Sequence, residues 1–387
     1  MLYFHPNELS LSINKMENHQ DVISFLLRLT ALEPKPFDGS ESWWALPVTH
    51  IAEEAQRQGV APWIHHQLDQ YYTSEQSLQP LKAALKPSLF STLAANEMNI
   101  ALLKEIQALL ASHRIQPTTL KGISLVMSLY PDPSLRPIGD LDLYINPDKV
   151  FQARDLLVKQ GAKASAPPLS PLHEANHAHV RSLTYKGRLV EFHQRLYDVG
   201  NAWNPSTNLE TAIETFNFRG QNYHRLNKVL LTYHLITHLA YNMKMGGCRL
   251  GWFIDIALLF SQENENAHLL YQKVMQVNAK ANQSMEAVIS YAMSLMASPA
   301  CESLQNHQNL KPAEIPARIL TESNEITQNH KKIVLRNIVQ TPGFVHKTTL
   351  LFREFFPTRE YMNHFYNIKS NTGLIFAYLK RLTNIGK

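Results

Sequence analysis

The sequence predicts an α+β fold in which a small mixed β-sheet is flanked by N- and C-terminal helical regions. Three observations lead there. Stretches before residue 114 and after residue 201 carry apolar residues at helical spacing. The block between them alternates short β-like runs with short helices. Within that block, the apolar run from Asp140 to Ile145 has aspartates at alternate positions, which is the period of a strand. The expected divisions are 1–114 for the N-terminal helical region, 115–200 for the sheet core and 201–387 for the C-terminal helical region.

Taken in order, residues 1 to about 40 are weakly periodic, with one helix expected over Val22–Leu32 before Pro34 and Pro36. From Ser42 the pattern sharpens, and Ile51, Ala52, Ala55, Val60, Trp63, Ile64 and Leu68 recur at helical spacing around Gly59 and Pro62. A long core-packing helix is expected over Pro87–His113. A short strand over Pro117–Leu120 then turns into a helix over Ile123–Tyr130, and the Asp140 strand follows. Asn146 and Pro147 read as N-cap and first residue of a helix that stops at Gly161. A Pro/Ala/Ser-rich loop over Lys163–Pro171 leads to two β-like segments, HAHVRSLTY and RLVEFHQRL, joined at Lys186-Gly187 as a hairpin. From Asn201 the chain reads as helical throughout, with helices over Tyr223–Met245, Arg249–Ser261 and Ala267–Met296. A break falls at Gly246-Gly247, a polar stretch runs from about 300 to 315, and a further break falls at Pro357.

Bulk properties bound the function. A chain of 387 residues buries a large core. No apolar run approaches the ~18 residues that span a bilayer, since LGWFIDIALLF is interrupted by Asp255. The opening MLYFHPNELSLSINK has no basic segment followed by an apolar one, so no signal peptide is expected. Cys248 and Cys301 are too few for a disulfide framework, which places the chain in a reducing cytoplasm. The net charge of +5 suits nucleotide or nucleic acid without selecting either; the basic excess is thinly spread, with Lys380, Arg381 and Lys387 making the tail locally positive.

The chemistry concentrates between Leu120 and Ile145. Side chains two apart on a strand share a face, so Asp140 and Asp142 project together from a buried sheet. Two like charges that close are costly unless a cation lies between them, and oxygen ligands suit Mg²⁺, or Mn²⁺ in its place. Lys121 and Gly122 stand where strand becomes helix, a junction that offers free N–H groups and a positive helix end to a phosphate. Each residue also has a plainer reading. The aspartates can be solvated acids, Lys121 a surface lysine, and Arg136 a structural partner of one of the aspartates. Glu191 and His193 share one strand face, and His193 also fits a hydrogen-bonded core histidine.

These residues resemble the nucleotidyltransferase superfamily of DNA polymerase β, and more narrowly a bacterial family of uncharacterised nucleotidyltransferases. The likeness is carried by Leu120-Lys121-Gly122, by Arg136 ahead of Asp140-x-Asp142, and by HIAEEAQRQGVAPWIHHQL with its Gly-Val-x-Pro. It runs from about Trp44 to Leu382, including the Phe356-Pro357 turn followed by Tyr361. Where the superfamily commonly has Gly-Ser or Gly-Gly, this chain has Gly122, Ile123 and then Ser124. The resemblance implies transfer of a nucleoside monophosphate from an NTP to an acceptor hydroxyl, with Asp140, Asp142 and Glu191 as metal-binding catalytic acids. Glu191 with His193 takes the place of the family's Asp-x-His. Lys121, Gly122, Ser124 and Arg136 become nucleotide-binding residues, and His238, Arg249 and Asp255 (within Trp252-x-x-Asp255) join them from a helical layer. The acceptor is expected to be a small molecule or a protein, because no basic groove with interleaved aromatics favours nucleic acid; no membrane partner is expected.

Two alternatives stand beside this. One is a non-catalytic nucleotide-binding or scaffold protein of the same fold. The other is a zinc hydrolase, since HEANH (His173–His177) matches H-E-x-x-H. That motif follows PPLSP and precedes a strand-like run rather than lying on a long apolar helix. His234 and His238 are also one helical turn apart, without an obvious third ligand. No Walker A loop, dinucleotide fingerprint or nucleophile elbow is present.

Overall fold

The computed structural model describes residues 19–37, 46–245, 247–321, 335, 338–368 and 370–384; the opening segment 1–15, Ser42, Trp44, Gly246 and Lys387 lie outside them. The chain begins with α1 (residues 19–30), α2 (Val48–Arg57), α3 (Ala61–Tyr71) and α4 (Gln79–Ala111). Next come β1 (Thr118–Thr119), α5 (Lys121–Ser128), β2 (Asp140–Tyr144), α6 (Val150–Lys159), β3 (Lys163–Ala164), α7 (Pro171–Asn176), β4 (Leu183–Tyr185), β5 (Arg188–His193), β6 (Ile213–Phe218) and β7 (Gln221–Leu226). The remainder is helical: α8 (Lys228–Met245), α9 (Leu250–Ser261), α10 (Ala267–Val277), α11 (Asn282–Met293), α12 (Ser298–Gln308), α13 (Ala317–Thr321), α14 (Phe344–Phe355), α15 (Arg359–Tyr366) and α16 (Asn371–Asn384).

The described residues fall into two compact units, each discontinuous in sequence. One is drawn from Met1–Met98, Ser124–Ile138 and Lys228–Ile326, the other from Asn99–Ile123, Gly139–Asn227 and Thr327–Lys387. The first is helical. Its α9 is apolar on nearly every side, with Leu250, Phe253, Ile254, Ile256, Ala257, Leu259 and Phe260 all buried, and is therefore a core helix. The second unit holds the whole sheet, in the order β3-β4-β5-β2-β1-β7-β6. At its centre β2 runs parallel to β5, while β1 runs antiparallel to β2 and parallel to β7. The β4–β5 hairpin turns on Lys186 and Gly187 at φ 49° and 77°, the left-handed pair that a tight two-residue turn requires.

Several expectations need correction. Helix α4 begins at Gln79, so Pro87 lies inside it. A proline there costs about 3 kcal/mol, but Leu78, Leu81 and Leu85 ahead of it are all buried and hold that first stretch down. Asn146 and Pro147 do not cap α6; the Asn146 side chain instead accepts from the Asp148 N–H at 2.9 Å, forming a turn three residues before the helix. Residues from Asn201 are not helical throughout, because β6 and β7 form a hairpin, and Tyr223–Leu226 belong to a strand rather than to α8. The helix expected over Ala267–Met296 is broken at Asn278, whose extended backbone and side-chain cap on the Lys280 N–H start a new turn. The polar stretch after 300 contains α12. The segment HAHVRSLTY contributes only β4 and a lone bridge from His179 to His193. Among the described residues, no helix is long and apolar enough to cross a membrane.

Candidate active site

The β2–β5 pair decides where the acids point. In register, Leu141 faces Val190 and Leu143 faces Phe192, and these four are essentially fully buried. They form the apolar side of the sheet, so the alternate positions must project from the other side. There Asp142 pairs with Glu191, Tyr144 with His193 and Asp140 with Leu189. The apolar alternation that folds the sheet thereby gathers Asp140, Asp142, Glu191 and His193 on a single face.

Lys121 completes this face from the neighbouring strand end. The backbone bond from the Leu120 N–H to the Asp142 carbonyl, 3.0 Å, brings the β1–α5 junction alongside β2. Lys121 then sits at φ 43°, a left-handed conformation that costs a residue with a Cβ of order 1–2 kcal/mol. The side chain is spent on one contact, an ion pair from Nζ to Asp142 Oδ1 at 2.9 Å. Gly122 and Ser124 are buried in the first turns of α5 behind it.

The charges are unequal. Burial alone raises the Asp142 carboxyl, but Lys121 and the hydrogen bond from His193 outweigh it and hold Asp142 well below the usual carboxylate range. Asp140 is less compensated: burial and then the charge of Asp142 push it up to about 6, against the opposing pull of Lys121. Burial lowers Lys121, yet Asp142, Asp140 and Glu191 together keep it raised and charged. His193 is fully buried, and that burial together with Lys121 pushes the imidazole down. As a neutral ring it donates Nε2–H to Asp142 Oδ1 at 2.7 Å, which leaves Nδ1 without a hydrogen-bond partner. One lysine therefore faces three carboxylates, leaving two negative charges on this face.

Glu191 is anchored rather than free. Ser182 Oγ donates to its Oε1 at 2.8 Å, and its Oε2 lies 3.8 Å from His193 Nε2 and 4.0 Å from His179 Nε2. Among the described residues, one group of three has ligand atoms close enough to hold a metal ion: Asp142, Glu191 and His193, within 4.8 Å of one another. Asp140 is outside that trio but shares its sheet face. This donor set and its two uncompensated charges fit a divalent cation. Ser182 and His179 were not picked out from sequence, although both lie in the β-like segment that pairs with β5.

The helical unit holds a different arrangement. Gln58 fixes the start of α9: its carbonyl accepts from the Gly251 N–H at 3.1 Å and its side-chain Oε1 from the Leu250 N–H at 2.9 Å. A Cβ at position 251 would lie 3.1 Å from the Gly59 carbonyl, so the close approach favours glycine. One turn on, the Asp255 carboxylate receives Arg136 Nε at 2.8 Å, Arg136 Nη2 at 2.7 Å and the Tyr130 hydroxyl at 2.8 Å. Arg136 thus pairs with Asp255. Burial and the Asp255 charge raise the Tyr130 hydroxyl well above its ordinary range, so it stays a donor. His238 accepts from Asn242 Nδ2 at 3.1 Å and packs edge-on against Trp252, and Arg249 is exposed at the N-cap of α9.

HEANH is dispersed among structural partners. His173 Nε2 lies 3.2 Å from Glu354, Glu174 accepts from Arg154 and from the Arg181 N–H at 2.9 Å each, and His177 pairs with Asp198 at 3.3 Å. Helix α7 is six residues long and ends before His177, so the two histidines do not share a helix face.

A family model described as "Uncharacterised nucleotidyltransferase" matches residues 46–297. Among solved structures, the chain is similar to an antigenic nucleotidyltransferase-like protein from Paracoccidioides brasiliensis, at 18% identity over 50% of this chain and 94% of that one, with a TM-score of 0.29. No curated protein matches the sequence.

Proposed function

Because the chain belongs to the family of uncharacterised nucleotidyltransferases, we propose that it transfers a nucleoside monophosphate from an NTP to an acceptor hydroxyl on a small molecule or a protein, in a divalent-metal-dependent reaction in the cytoplasm. The bond from the acceptor oxygen to the α-phosphorus forms, the bond from that phosphorus to the bridging oxygen breaks, and pyrophosphate leaves with the electron pair. The observation that carries this reading is the charge count on one sheet face, where Lys121 offsets a single carboxylate of Asp140, Asp142 and Glu191.

Asp140, Asp142 and Glu191 would hold Mg²⁺ or Mn²⁺, with His193 donating to Asp142 and so fixing the direction its free oxygen faces. When bound, such an ion supplies positive charge to the triphosphate and acidifies the acceptor hydroxyl. Lys121 and the N–H groups of Gly122 and the residues after it, at the positive end of α5, receive phosphate oxygens and stabilise charge on departing pyrophosphate. Glu191, placed by Ser182, accepts the acceptor's proton. Arg136 and Asp255 act through structure, keeping α9 and the segment before β2 in place.

The test is incubation of the purified protein with Mg²⁺ or Mn²⁺, each labelled NTP and a panel of acceptors, scored by pyrophosphate release. Asp142→Ala is expected to lower the rate by about three orders of magnitude or more. NTP binding without turnover under any metal, unaltered by Asp142→Ala, would identify a scaffold instead.

A further inference from the structure

The C-terminal helices carry a feature unrelated to the transfer reaction. In α14, Phe344, Val345, Leu351, Phe352 and Phe355 are all exposed, Phe344 at 80%. Their spacing of i, i+1, i+7, i+8 and i+11 places them on one side of the helix. The stripe faces solvent, while Leu350 on the opposite side is buried. In α16, Ile375, Phe376, Leu379 and Leu382 repeat the pattern, with Phe376 71% exposed and Ala377 buried behind them. The two helices are braced together: Arg381 donates from Nη2 to the Glu354 carbonyl at 2.9 Å, and the Tyr378 hydroxyl donates to the Pro357 carbonyl at 2.6 Å. Further ties run to the residues around HEANH, from the Thr358 N–H to the Leu169 carbonyl at 2.8 Å and from Arg181 to Glu360 at 2.6 Å. The apolar stripes are thus held on an ordered support.

Charge identifies what meets them. From Phe344 to Lys387 the sequence has seven Lys or Arg against two Glu, a net of +5 that equals the net charge of the entire chain. We propose, against the expectation from sequence of no membrane partner, that α14 and α16 form a docking surface for an anionic lipid bilayer, with the phenylalanines and leucines entering the headgroup–acyl boundary and Lys347, Lys380 and their neighbours meeting lipid phosphates. Self-association through the same stripes would set two such basic segments against each other, and that repulsion disfavours a second copy as the occupant. An acidic protein partner is the outcome the experiment must separate.

The full chain is sedimented with vesicles of phosphatidylcholine alone and with vesicles containing about 30 mol% phosphatidylglycerol. The bound fraction is expected to be roughly tenfold higher on the anionic vesicles and to fall as salt approaches about 0.5 M. Phe344→Ser with Phe376→Ser, both at exposed positions, is expected to lower binding about tenfold with circular dichroism and Tm unchanged. Lys347→Glu with Lys380→Glu is expected to abolish the preference for anionic lipid while leaving the fold intact. No binding to anionic vesicles, or binding that both double variants retain, overturns the proposal. So does a dimer, detected by light scattering, that the serine variant dissociates. Capture of an acidic protein by a chain that ignores vesicles assigns the face to protein docking and overturns it as well.

Discussion

Asp142 and Asp255 are buried to nearly the same degree, 2% and 1% exposed, yet the charges around them resolve in opposite ways. Asp255 receives a bidentate guanidinium and a phenol hydroxyl, so one negative charge meets one positive charge and both oxygens are bonded. Asp142 receives Lys121 and His193 on the same oxygen, and Asp140 and Glu191 beside it add two charges, whereas among the described residues Lys121 is the lysine paired with this face. Burial makes both aspartates expensive. A closed set is a structural device, and an open one calls for a ligand.

That comparison can be broken by removing each acid in turn. Asp255→Ala strands the Arg136 guanidinium, itself 11% exposed, and is expected to cost about 3–5 kcal/mol of stability in a denaturant titration. Asp142→Asn leaves the Lys121 charge beside those of Asp140 and Glu191, so its stability cost is expected at about 1 kcal/mol or less, alongside the loss of turnover. Equal destabilisation by the two substitutions would mean that the sheet face is as closed as the helical one.

Lys121 sharpens the contrast further. Lys121→Gly removes both the strain at φ 43° and the lysine paired with Asp142. Turnover is expected to fall by roughly 10- to 100-fold, while thermal unfolding shifts by no more than the equivalent of ~1–2 kcal/mol. A large loss of Tm with activity retained would instead make Lys121 a structural counter-ion.

The smallest effect is expected at His177 and Asp198, a peripheral pair in which both sides are partly exposed. The hydrogen bond to Asp198 raises the imidazole above its ordinary 6.5. A raised histidine contributes stability that is fully present below pH 6.5 and is lost as pH rises through the folded-state value. With the histidine side chain 52% exposed, screening keeps this below about 1 kcal/mol. His177→Gln is expected to flatten the fall in Tm across that window, and an unchanged slope would assign the pH dependence elsewhere.

Much of the sheet face was legible because its signals are local. Two aspartates set into an apolar run, and a Lys-Gly turn between two alternating segments, each follow from period and turn chemistry. The β6–β7 hairpin carries an equivalent turn, Arg219-Gly220 at φ 51° and 79°, but was not recognised. Strand β6 is partly exposed on both faces at the sheet edge, so it lacks the strong apolar alternation of β5. The Arg136–Asp255 pair joins positions 119 apart, a separation at which no spacing rule applies. Ser182 and His179 became visible only once the Glu191 carboxylate had a position, and the role of Asp140 beside the Asp142, Glu191 and His193 trio depends on side-chain direction rather than on strand period.

The central claim, that one sheet face carries an excess of negative charge that a divalent cation satisfies, is tested most directly by crystals soaked with Mn²⁺ and an NTP and measured at the manganese edge. An anomalous peak coordinated by Asp142 and Glu191, lost in Asp142→Asn crystals, is expected. A peak elsewhere, or none at this face with the nucleotide bound, would contradict it.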